Sequence, residues 1–274
     1  MRTVVWLSVV ALCACPGRRP TEPVAGSPES VLQAARARAV PDPLKSRFAI
    51  KLRSKPLDLA ASTNGGLIID RPGQGRVDLF GPLGGSVVTV ASDGAGLSVL
   101  LVQQKKDLVA LDAESVVRAA TGGVASLDDA FAVLSGDVPF DLAEVREVDL
   151  LPPDDPIHPG LVRVRLAGPK QTMVELWLDP ANATMRELVA LDKKGDSVMS
   201  AKYDPYELVG TDLMPSRVEL YVPSLDLLVE TRYKSWEVLA TPPQTLVPVV
   251  PDTFVVESLE EAIKKLAEKE LAPK

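Results

Sequence analysis

From Ser46 onward apolar and other positions alternate with a period of two, and Phe48, Ile50 and Leu52 share one face of a half-buried strand. Strand-like runs follow at 57–63, 66–71, 76–80, 86–91, 97–103 and 107–110. The spacers Asn64-Gly65-Gly66, Gly73-Gln74-Gly75, Gly81-Pro82-Leu83-Gly84-Gly85 and Asp93-Gly94 are short and turn-forming, which favours antiparallel hairpins over crossovers. Two helical pieces interrupt the meander. One spans 114–120 and stops at Gly122-Gly123; the other follows the capping-box string Ser126-Leu127-Asp128-Asp129 and carries Ala130, Phe131, Val133 and Leu134. Strands resume at 143–150, 161–166, 172–178, 184–191, 196–203, 216–222 and 226–239. The pattern predicts a single β domain from about 46 to 240, with helices covering the open side of a strongly curved sheet.

The ends are different. Ser27-Pro28-Glu29 opens a short amphipathic helix with Val31, Leu32, Ala35 and Ala39 on its apolar stripe. Residues 241–254 are proline-rich, and Ser258-Leu259-Glu260-Glu261 starts a terminal helix whose apolar edge is Leu259, Ala262, Ile263, Leu266 and Leu271. That helix is expected to dock on the β domain, with a partner contact as the alternative. At the other end, Arg2 precedes an apolar run from Val4 to Leu12, too short to span a bilayer, and Leu12-Cys13-Ala14-Cys15 resembles the bacterial lipobox. Processing would leave Cys15 as a lipid-modified N-terminus; the alternative is an ordinary secretory signal with two incidental cysteines. The division expected is a signal peptide at 1–14, a lipidated tether at 15–27, the β domain with its first helix at 28–240, and the extension at 241–274.

Composition narrows the chemistry. No cysteine follows Cys15, so the mature domain offers no disulfide, thiol ligand or thiol nucleophile. Removing residues 1–14 takes away Arg2 and moves the formal net charge from −7 to −8, a balance that offers no broad basic face for nucleic acid. His158 is the single histidine and lies in a loop-forming string with Asp154 and Asp155, more in keeping with an exposed acidic loop than with a metal site. No Gly-x-Ser-x-Gly elbow occurs, and the glycines near 81–85 and 94–96 precede strands rather than a phosphate-holding helix. No cofactor, metal or catalytic set is expected. An apolar interior, with aromatics at only 4% to fill it, suits binding better than catalysis.

The stretch Val77-Asp78-Leu79-Phe80-Gly81-Pro82-Leu83-Gly84-Gly85, the strands that follow to Leu111, and the closing runs Pro215 to Tyr221 and Leu228 to Val238 resemble the LolA/LolB-like lipoprotein carriers. The organisation is closest to the outer-membrane receptor form. The resemblance implies a mainly β fold: an eleven-stranded antiparallel half-open β-barrel with short lid helices and terminal helices. It implies a membrane-anchored receptor that takes lipoprotein acyl chains from a soluble periplasmic carrier and delivers them to the outer membrane from its periplasmic face, without covalent chemistry. Inner-membrane anchoring stays open. Leu83, with Phe80 and Pro82, would form a membrane-touching tip. Phe48, Ile50, Leu79, Val88, Val90, Leu100, Val102, Phe131, Leu134 and Trp177 are the implied acyl-binding positions. The alternative is a noncatalytic envelope scaffold or a lipid-binding sensor.

Overall fold

The computed structural model describes residues 26–262 apart from 39, 57, 122, 140–143, 169–171 and 244. Cys15, the expected signal peptide, the expected tether up to residue 25, and the expected terminal helix beyond 262 lie outside the described residues. Helix α1 (Pro28–Ala37) starts where the proline and the early Glu29 predict, and buries Val31, Leu32 and Ala35. Eleven strands were implied, but the described residues hold sixteen. Fourteen form one sheet, in the order β16-β6-β5-β4-β3-β2-β1-β15-β14-β11-β10-β9-β8-β7.

Strands β1 (Leu44–Ser54), β2 (Leu59–Asp70), β3 (Gln74–Phe80), β4 (Ser86–Asp93), β5 (Leu97–Leu101) and β6 (Lys106–Ala110) form the first antiparallel meander. Two helices follow it, α2 (Ala113–Ala120) and α3 (Leu127–Ser135). The second meander is β7 (Val145–Leu150), β8 (Val162–Ala167), β9 (Met173–Asp179), β10 (Thr184–Leu191) and β11 (Ser197–Tyr203). Strand β14 (Arg217–Val222) pairs with β11, and the long β15 (Leu227–Val238) joins it to β1, so the two meanders become one surface. The sheet does not close: β16 and β7 are its ends.

Three of the additional strands have identifiable sources. A hairpin of β12 (Tyr206–Val209) and β13 (Asp212–Pro215) sits between β11 and β14, held by the buried Tyr206 and Met214. The proline-rich extension returns to the sheet edge as β16 (Val255–Ser258), the one parallel pairing among the described residues, against β6. One predicted turn is absent: Asn64-Gly65-Gly66 lies inside β2. A Cβ on Gly65 would stand 2.4 Å from the Phe48 ring, so glycine there permits close packing rather than a reversal.

A single row of register partners crosses eight strands: Val255, Lys106, Leu101, Val88, Leu79, Gly65, Phe48 and Tyr233. On one side of this row lie the turns after β1, β3, β5 and β14, here called the rim. On the other, the base, Arg71 ties the pieces together. Its backbone N–H donates to the Asp42 carboxylate at 3.0 and 3.1 Å, and its guanidinium reaches Asp137 at 2.9 Å and the Val40 carbonyl at 3.2 Å. Helix α3 is fixed at both ends. Ser126 and Asp129 form the capping box its sequence predicts, Asp128 accepts from the Gly73 N–H at 2.7 Å, and Tyr233 donates to the Leu134 carbonyl at 2.7 Å.

Candidate functional site

In-register pairing assigns each strand residue to one of two faces. The inner face packs against the helices. Across β8–β11 it is sealed: Val164, Leu166, Val174, Leu176, Leu178 and Leu188 are all at 0% exposure, and α1 lies over β7–β9. Across β1–β6 the same face is mainly apolar, with Thr63 beside Ile50 and Lys106 beside Leu101, and is only half-buried on its rim side, where Ile50, Leu79, Val88, Val99 and Leu101 form an apolar strip, here called the trough. Toward the base this trough is plugged. The Phe131 ring of α3 lies over Gly75, where a Cβ would approach it to 2.3 Å, and Phe48 lies over Gly65 with its ring edge-on to Tyr233.

Seven of the ten implied acyl-binding residues share this inner side. Phe48 and Phe131 are buried in the main core; Ile50, Leu79 and Leu134 are half-buried against it. Val88 and Val90 are half-buried, paired with Leu79 and Val77. The other three are elsewhere. Leu100 pairs with Thr89, whereas Val90 pairs with Val99, so Leu100 is buried on the outer face. One residue of register separates the two faces, and here it decides the placement. Val102 leaves the strand for a 3-10 turn, Val102–Gln104, because the chain must reverse at the rim before β6. Trp177 is also on the outer face, between Arg163 and Glu187 in register, while its neighbours Leu176 and Leu178 face the core.

What buries Trp177 is the loop after β7. The His158 ring stacks on it with centroids 4.4 Å apart, and His158 Nε2 lies 2.8 Å from the Glu187 carboxylate. The Asp155 carboxylate accepts the His158 and Ile157 N–H groups, which lowers its pKa below the ordinary value. These contacts pin a loop to a sheet. Among the described residues no three His, Cys, Asp or Glu side chains gather as a metal site. The rest of this outer face is a ladder of cross-strand ion pairs, with Arg165 bridging Glu175 at 2.7 Å and Glu147 at 2.6 Å, and Arg163 meeting Asp149 at 2.8 Å.

At the rim, the Gly84 N–H donates to the Gly81 carbonyl at 2.9 Å and the Gly81 N–H to the Gly85 carbonyl at 2.8 Å, closing a tight tip between β3 and β4. Gly84 has φ +85°, a conformation glycine adopts without a Cβ penalty. Leu83 at the apex is fully exposed, at 102%. Pro82 is exposed beside it, whereas Phe80 is half-buried and its ring rests on the strand over Gly66 rather than at the apex.

The mount of this tip was not singled out from sequence. Asp78 on β3 accepts from Arg76 at 2.7 and 2.9 Å, from Ser86 at 2.8 Å and from Thr89 at 2.6 Å, cross-linking the strands that carry the tip. Burial pushes the Asp78 carboxyl up, but its bonds to Arg76, Thr89 and Ser86 outweigh burial and hold the pKa below the ordinary 3.8. The extension covers the neighbouring outer surface. Leu246 is buried, its carbonyl accepts from Arg76 at 3.4 Å, and Ser98 donates to the buried Asp107 at 2.6 Å. The alternating Arg76 and Asp78 carry only the signal of a solvent face, since the segment covering them is more than 160 residues away.

The sequence matches no protein-family model and no curated protein. Solved structures do match. A LolA superfamily protein from Nitrosomonas europaea aligns over 82% of this chain and 99% of its own, with a TM-score of 0.53 and 13% identity. A protein domain from Vibrio parahaemolyticus, assigned to outer membrane lipoprotein sorting, aligns over 80% of this chain and 94% of its own, with a TM-score of 0.56 and 11% identity. The half-open sheet, its helix-plugged interior and these alignments agree, and the chain has the fold of the LolA/LolB lipoprotein carriers.

Proposed function

We propose that this protein is a noncatalytic lipoprotein receptor of the bacterial envelope, anchored through Cys15, that accepts acyl chains on the inner face of β1–β6 and passes them to the outer membrane at the rim. The observation that carries this reading is the continuity between the half-buried apolar trough and the fully exposed Leu83 above it. Each methylene kept from water is worth about 0.8 kcal/mol, so a chain moving from one apolar surface to another and then to a bilayer avoids a cost that free transfer would impose. A donor carrier in the periplasm and the lipid anchor belong to the same proposal. The N-terminal Leu12-Cys13-Ala14-Cys15 string supports the anchor. Pro16, where a retention aspartate would stand in common Gram-negative sorting, favours the outer over the inner membrane.

The test is transfer of an acylated lipoprotein from a purified carrier to liposomes holding the full-length protein, alongside Leu83→Glu. Wild type is expected to accelerate insertion, and Leu83→Glu to bind cargo but deliver it poorly. A folded wild type that neither binds nor transfers cargo would sink the receptor and leave the envelope scaffold as the better account.

A further inference from the structure

Resting on the reading of Leu83 as a membrane-touching tip, we propose that the whole rim is a bilayer-docking face, with Leu225 and the Val255–Val256 pair as its second and third apolar contacts. Neither of these lies in the Pro-Leu-Gly tip, and one belongs to the C-terminal extension. Leu225 ends the 3-10 turn Pro223–Leu225 between β14 and β15 and is 39% exposed; Val255 and Val256 open β16 at 57% and 63%.

The register places these points. Measured from the row that runs from Val255 to Tyr233, Val255 stands on the row, Leu83 lies four residues past Leu79, and Leu225 lies eight residues before Tyr233 on a strand of opposite direction. Counted from β16, the β3–β4 tip falls between the fourth and fifth strands and the β14–β15 turn between the eighth and ninth. With about 3.3 Å per residue and about 4.8 Å per strand, both offsets describe a line inclined by roughly 36–38° to the row. Barrel strands tilt by about 35–45° from the barrel axis, so three points that are staggered on the unrolled sheet stand level around the rim. A flat bilayer meets all three at once.

The chemistry of the rim identifies what holds it there. The turns between these points carry Lys55 and Lys105, but Asp58 and Asp226 lie on the same rim and balance them. Contact is therefore driven by apolar insertion, and anionic lipid adds little. The two sheet edges differ in the same sense. β7 carries Arg146, Glu147 and Asp149, charges that discourage association at an edge, while β16 leaves two valines in the open.

The test uses the acylated full-length chain in phosphatidylcholine vesicles containing a lipid-borne quencher. A thiol-reactive fluorophore is placed at Leu83→Cys, Leu225→Cys, Val255→Cys or Ile157→Cys, one at a time. Ile157 is 76% exposed but lies on the loop at the base, and serves as the control. Quenching several-fold stronger at 83, 225 and 255 than at 157, and unchanged when phosphatidylglycerol is added, is the expected result. Quenching at 83 without 225 or 255 overturns the rim proposal and leaves the tip intact. No quenching at 83 overturns both. Equal quenching at 157 indicates adsorption without orientation and overturns the rim proposal, as does quenching that requires phosphatidylglycerol.

Discussion

The two meanders present the same kind of inner face, aliphatic and drawn from alternate strand positions, yet they end in different states. In β8–β11, Val164, Leu176, Leu188 and Ala201 are wholly buried in the main core, and over β8 and β9 α1 supplies Val31, Leu32 and Ala35 as a matching apolar surface. In β1–β6, α3 reaches only the base side, where Gly65 and Gly75 admit the Phe48 and Phe131 rings, and Ile50, Leu79 and Val88 are left half-covered. A sheet face is therefore not a binding surface or a core by its own composition. Whichever helix covers it decides. The half that stays uncovered carries the exposed tip.

The sharpest way to break this comparison is stability. Leu176→Ala in the sealed half is expected to cost about 2–5 kcal/mol, and Leu79→Ala in the trough less than half as much, read from urea unfolding midpoints. Equal costs would mean that the trough is packed like the core. Gly75→Ala, which drives a methyl into the Phe131 ring, is expected to cost about 1–3 kcal/mol by the same assay, since α3 must shift to accept it. Val88→Glu is expected to shift stability by about 1 kcal/mol or less while weakening a fluorescent acyl probe tenfold or more. Undiminished binding would move the acyl site off this face.

Smaller effects sharpen the picture at the tip. A carboxyl whose folded pKa lies below its unfolded value stabilises the fold at pH above that unfolded value and loses the contribution as pH falls through the folded one. Asp78 is such a group, so its share of stability is present above about pH 4 and lost in more acid solution; Asp78→Asn is expected to flatten that part of the stability–pH curve. An unchanged acid limb would show that the clamp at the base of the tip is not formed in solution. Leu83→Glu, at a fully exposed apex, is expected to leave the unfolding midpoint within about 0.5 kcal/mol of wild type even as delivery fails.

Much of this organisation is legible in the sequence because it is local. Period-two alternation located most of the strands though not β12, β13 or β16, Ser126 and Asp129 announced the α3 cap, and Gly81 to Gly85 marked the tip, each within a few residues of chain. What misled were positions whose environment is set from far away. Leu100 shares its strand face with the polar Ser98 while Leu97, Val99 and Leu101 line the other, so its local pattern left the face open, and its burial comes from the outer side of the sheet. Trp177 reads as an interior aromatic, and is buried instead by a loop that brings His158 onto it. Gly65 and Gly66 read as a turn, because the ring that needs the space belongs to the neighbouring strand.

The sequence by itself determined the class of the fold, its meander order and the apex at Leu83, because hydrophobic periodicity, caps and tight turns are encoded by near neighbours. Only the tertiary structure decided which apolar face is sealed and which is left open. It likewise decided that the C-terminal extension folds back as a fourteenth strand of the sheet. Those outcomes depend on contacts between segments far apart in the chain, and on the tilt the strands take when the sheet curls, neither of which any short window of residues specifies.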